Sequence, residues 1–160
     1  MAEKTVARAV ERMFRIAVGD EARSLDGMAK ALSRERGRPL IVLHDAKLPP
    51  GVFGQWVRRP DHDEVSCAAW VHARDRTIAH ELGHIALGHF GRPAIDLATD
   101  FLPASAHDLA TLMLRRDCTD TYSVEEADAE AFGSLLLRRL QDTRGSGNPA
   151  IRSRLDEALG

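Results

Sequence analysis

From Thr5 to Ile16 apolar side chains return every three or four residues, at Val6, Val10, Met13 and Phe14, the spacing that gathers them on one face of a helix. Gly19-Asp20 ends the pattern. Ser24 then stands as an N-cap before Leu25, Met28, Ala29 and Leu32, and Gly37 with Pro39 supplies the stop, so a second helix is predicted over 25–36. Residues 1–37 therefore read as a helical hairpin that walls a core. Past Pro39 the period changes. Leu40-Ile41-Val42-Leu43 is a short strand-like run closed by the turn chemistry of Pro49-Pro50-Gly51. Two further runs, Gln55-Trp56-Val57-Arg58 and 65–71, flank a polar loop at Pro60-Asp61-His62-Asp63. Residues 38–72 thus predict a small three-stranded sheet.

In the second half helical periodicity returns. Asp75 can cap a helix carrying Ile78, Ala79, Leu82, Ile85, Ala86 and Leu87, with Gly91 and Pro93 as stop signals, which places it within 75–90. Residues 92–105, with Pro93 and Pro103, read as a loop, 106–115 as a helix, and a less regular stretch leads to Tyr122. Ser123-Val124-Glu125-Glu126 has the Ser-x-x-Glu form of a capping box and opens a long helix over 123–141. Gly145-Ser146-Gly147 is a joint before a short last helix over 148–159. The fold class expected is α+β, a three-stranded sheet packed with helices in one domain over 1–160.

Composition narrows the function classes. With 44% hydrophobic residues in 160, the chain can build one core, and with 29% charged residues at a net charge of −2 it is neither a disordered polyelectrolyte nor a basic partner for nucleic acid. Two cysteines, Cys67 and Cys118, are too few for a disulfide framework. The opening residues show no secretory apolar run, and the chain holds no apolar stretch long enough to span a bilayer. A cytoplasmic protein with no membrane contact is expected.

The chemistry concentrates at His80-Glu81-Leu82-Gly83-His84. On a helix, residues i and i+4 lie about 40° apart in projection, so both imidazoles can point at one metal ion, while Glu81 lies about 100° further round. From there it can act as general base on a water in an open coordination position. The helix is otherwise apolar, and two unpaired histidines with a carboxylate on it would be costly to bury without a metal. A catalytic zinc needs a third protein ligand. A metzincin site would need Gly at 87 and His at 90, where this chain has Leu87 and Phe90. His89 would lie about 180° from His80 on a straight helix and so face away from the metal.

That leaves the acidic helix, which offers Glu125, Glu126, Asp128 and Glu130. Glu126 is the expected third ligand, with Asp128 the alternative, and Glu130 one turn beyond Glu126 can accept a hydrogen bond from the far nitrogen of a histidine ligand. Glu126 could instead serve only the capping box. Candidates to stabilise an oxyanion are Tyr122, His72 and Arg74. In zincins the strand before the active helix often lies at the sheet edge, and by that likeness 65–71 could hold an extended peptide by backbone pairing. Trp56 and Trp70 are expected to pack under the sheet, or else to line that cleft.

These residues carry a resemblance. His80-Glu81-Leu82-Gly83-His84 followed by Glu126-Ala127-Asp128-Ala129-Glu130-Ala131-Phe132-Gly133 is similar to the ImmA/IrrE family of zinc metallopeptidases. The similarity runs from the sheet to about Leu137, with Asp128, Glu130 and Gly133 departing from the usual residues of that pattern. It implies a zincin-like fold, a Zn2+ cofactor, and a regulator that cleaves a helix-turn-helix repressor of the xenobiotic-response-element type. Two other classes stand beside this one: a zincin-scaffold interaction module that holds its partner without proteolysis, and a toxin or DNA-binding regulator using the first two helices.

Overall fold

In a computed structural model of the chain, residues 2–89 and 120–145 are described. The expected loop 92–105, the helix 106–115, the short helix 148–159 and Cys118 lie outside the described residues. What is described is an α+β arrangement of four α-helices and a mixed three-stranded sheet: α1 (Ala2–Ile16), a 3-10 turn (Gly19–Arg23), α2 (Leu25–Arg36), β1 (Leu40–Ala46), β2 (Gly54–Arg58), β3 (Asp63–Ala68), α3 (Arg74–Leu87) and α4 (Asp120–Gly145).

Helix α2 forms where its local signals put it. The Ser24 hydroxyl accepts a hydrogen bond from the Gly27 N–H at 3.0 Å, and the Gly37 N–H donates to the Arg34 carbonyl at 3.2 Å. Both satisfy backbone groups that a helix end leaves open. Helix α4 departs from expectation at its start. It begins at Asp120, so Ser123 lies inside the helix and does not flank its first turn.

The sheet order is β1-β3-β2, with β1 parallel to β3 and β2 antiparallel to it. Val65 of β3 therefore sits between Val42 and Trp56. This corrects the placement of the third strand: it is central, it ends at Ala68, and the edges are β1 and β2. The chain crosses from β1 to the far edge with β2, and the hairpin returns β3 between them. A central strand has both backbone edges paired, so it has none left for a peptide.

Asp63 is a second correction. Read as part of a polar loop, it is the first residue of β3 and fully buried. Arg36 bonds its Oδ2, and the Arg38 Nε donates to its Oδ1 at 3.1 Å. Burial pushes its carboxyl up, but the two guanidinium hydrogen bonds outweigh that and hold it below the usual carboxylate range.

The core lies where the helices cover one another and β3: Val10 and Met13 of α1, Met28 and Leu32 of α2, Val65 and Cys67 of β3, Ile78 and Leu82 of α3, and Phe132, Leu136 and Leu140 of α4. The C-terminal end of α4 is tied to the 3-10 turn, where the Arg144 Nε donates to the Arg23 carbonyl at 2.8 Å. Its N-terminal half lies along α3. Among the described residues no helix is long and apolar enough to cross a membrane.

Candidate metal centre

Helix α3 buries Ile78, Ala79, Leu82, Gly83, Ile85 and Ala86 and leaves His80, Glu81 and His84 half-buried along its rim. Two of its boundaries differ from the sequence reading. Ala73, not Asp75, flanks its start, and it ends at Gly88 rather than Gly91. Gly88 takes φ of 73°, the left-handed conformation that glycine adopts without Cβ strain, and its N–H and that of His89 satisfy the Ile85 and His84 carbonyls.

That early stop repositions His89. On a continued helix it would face away from the imidazoles, but the turn at Gly88 brings its Nδ1 to 3.0 Å from His84 Nδ1. Burial, with His84 beside it, lowers its proton affinity.

Across from α3, Glu126 of α4 presents both carboxylate oxygens to the two rings. The His80 and His84 Nε2 atoms are 3.1 Å apart, Glu126 Oε2 is 3.3 Å from the first, and Oε1 is 3.4 Å from the second. Zinc holds its ligands at about 2.0–2.1 Å, and the corners of such a tetrahedron lie about 3.3–3.4 Å apart. Each Nε2 has a Glu126 oxygen at that spacing, the two Nε2 atoms stand slightly closer together, and one ligand atom from each residue lies within 4.8 Å of the others, so His80, His84 and Glu126 could hold a metal ion. Among the described residues Asp128 does not join this group. Hydrogen bonding to Glu126 raises the proton affinity of His80 against the effect of burial, and Glu81 and Glu130 add to it. The two imidazoles in turn hold the Glu126 carboxyl far below the usual carboxylate range.

Glu130 lies behind His80, its Oε2 3.5 Å from His80 Nδ1. Its other oxygen is gripped by Arg76, whose Nε donates at 2.9 Å. Arg76 is a residue that sequence reasoning passed over. The only available signal was its position one turn before His80 on the same helix.

Glu81 sits at the other side of the rim, beside the edge strand β2. A Cβ on Gly54 would lie 3.4 Å from Glu81 Oε1 and 2.3 Å from Thr77 Cγ2, so only glycine lets the strand pass this close to α3. The remaining candidates divide. Tyr122 falls in the first turn of α4, with its side chain outside the described residues. His72 is exposed in the connection before α3. Arg74 is turned toward the sheet, its Nη1 2.8 Å from Asp45 and its Nη2 donating to the Ala69 carbonyl at 3.0 Å. Trp56 is half-buried against the core, whereas Trp70 is not under the sheet at all: it is 50% exposed and stacks at a tilt on Phe53, with centroids 4.9 Å apart.

The chain matches no protein-family profile, no curated protein and no solved structure.

Proposed function

We propose that the chain is a zinc-dependent endopeptidase on a zincin-like scaffold, akin to the ImmA/IrrE regulators it resembles, and that it acts in the cytoplasm on a helix-turn-helix repressor. One observation carries the reading: His80, His84 and Glu126, from two helices, converge closely enough to share an ion, and the Glu81 carboxylate of the same helical turn stands beside a sheet edge. A purely structural site needs no carboxylate at that position.

His80, His84 and Glu126 would hold the ion. Bound zinc supplies Lewis acidity, lowering the pKa of water to about 7 and polarising a carbonyl. Glu81 accepts the proton of the attacking water and delivers it to the departing amine. The Glu130 carboxylate, anchored by Arg76, keeps the His80 ring facing inward. Strand β2, at the sheet edge and in contact with α3 through Gly54, is the element beside which an extended substrate would run. Tyr122 and His72 are the candidate oxyanion donors.

The test is a Glu81→Gln variant. Incubated with zinc and a repressor of the xenobiotic-response-element type, the wild-type chain is expected to release fragments identifiable by mass spectrometry. The variant should bind zinc as before and cleave about 10²–10⁴-fold more slowly. Biological activity unchanged in the variant would transfer the function to partner binding without proteolysis.

A further inference from the structure

We infer that His89 is a positioning residue for His84: its Nδ1 accepts a hydrogen bond from the His84 Nδ1–H and so holds His84 in the tautomer that leaves Nε2 free for a metal ion. The inference rests on the metal-centre reading above and adds to it a residue on neither ligand helix face.

A histidine ligates through an unprotonated nitrogen, so its proton must sit on the other one, and in a half-buried ring that N–H needs an acceptor. For His80 the Glu130 carboxylate stands on that side, its Oε2 3.5 Å from Nδ1. For His84 the atom in place is His89 Nδ1, at 3.0 Å. With both rings neutral, two ring nitrogens at that distance share one proton, and two arrangements are open. If His84 donates, its Nε2 carries a lone pair toward His80 and Glu126. If His89 donates, the His84 proton moves to Nε2, 3.4 Å from Glu126 Oε1, and occupies the position a metal would take.

The pairing is built into the backbone. The His89 N–H donates to the His84 carbonyl at 2.9 Å, so the residue whose ring faces His84 is bonded to the same residue through its main chain. Gly88, in its left-handed conformation, makes that turn possible. The two ligands thus have unequal neighbours, His80 a carboxylate and His84 an imidazole.

The test uses zinc itself, with affinity measured by competition against a chromophoric chelator for the wild type, His89→Leu and His89→Asn. Leucine fills similar space without an acceptor, while asparagine places a carbonyl oxygen near the position of Nδ1. Expected results are a 10–100-fold loss for His89→Leu, as typical of outer partners of ligand histidines, and near wild-type affinity for His89→Asn. Nitrogen-15 NMR of the zinc-loaded wild type should show the His89 proton on Nε2. Unchanged affinity in His89→Leu, equal losses in both variants, or the His89 proton on Nδ1 would each overturn the inference. A wild-type chain that takes up no zinc would instead overturn the metal-centre reading, and this inference with it.

Discussion

Replacing Glu126 by alanine removes one of three donors and leaves the two imidazoles in place. Four-ligand structural zinc sites bind with about 10–16 kcal/mol, so one ligand contributes on the order of 2.5–4 kcal/mol, or about 10²–10³-fold in affinity. A smaller effect opposes the loss. Glu126 raises the proton affinity of His80, so its removal eases the competition between metal and proton at neutral pH. The lost ligand is the larger effect, so the net change is a weakening. The assay is chelator competition on Glu126→Ala beside Asp128→Ala. The second variant is expected to bind as the wild type does, because Asp128 stands outside the group of donors at the imidazoles. An Asp128→Ala loss exceeding that of Glu126→Ala would refute the assignment of the third ligand.

Other outcomes follow from the same contacts. Because the Asp63 carboxyl is held low in the folded protein, its stabilisation is complete above the unfolded pKa near 3.8 and drains away as pH falls through the lower folded value. Asp63→Asn should cost about 3–5 kcal/mol in urea unfolding at neutral pH, and the gap to wild type should narrow in acid; a gap independent of pH would contradict the reasoning. Gly83→Val should lower the unfolding midpoint, at a cost of about 1–3 kcal/mol, and weaken zinc binding together, since even a Cβ there meets the Ala129 carbonyl and Phe132 at 3.0 Å. Gly54→Val presses on Thr77 and Glu81 but not on the ligands, so cleavage should fall while zinc affinity holds.

Local chemistry was legible and non-local chemistry was not. The bounds of α2 follow from Ser24 and Gly37, and the pairing of His80 with His84 follows from the helical repeat, because each depends on residues within one turn of each other. Strand order could not be read the same way. Nothing in 65–71 marks it as central, because that depends on β1 pairing with it from a distance, in parallel and past β2. Asp63 looked like a loop residue because its countercharges, Arg36 and Arg38, come from the end of α2 and the start of the sheet. His89 was misplaced for a subtler reason. Gly88 and Gly91 are both possible stops, and projecting past the wrong one turns a neighbour of His84 into a residue on the opposite face.

The third ligand shows how the two levels join. Glu126, Ala129, Glu130 and Gly133 are spaced three, four and seven residues apart, so they form one stripe on α4. Two members of that stripe are small, and opposite them α3 offers Gly83. A Cβ on Gly133 would stand 3.1 Å from the His80 nitrogen, so the helix backbones meet with no side chain between them at the level of the ligand. Glutamate is a short reach for a carboxylate that must span two imidazoles. Were α4 held off by ordinary side chains, at the 8–10 Å common between packed helices, Glu126 would lose its grip on one ring. The acidic residues supply the chemistry, but the glycines set the distance at which it operates, and a sequence motif that records only the former describes half of the site.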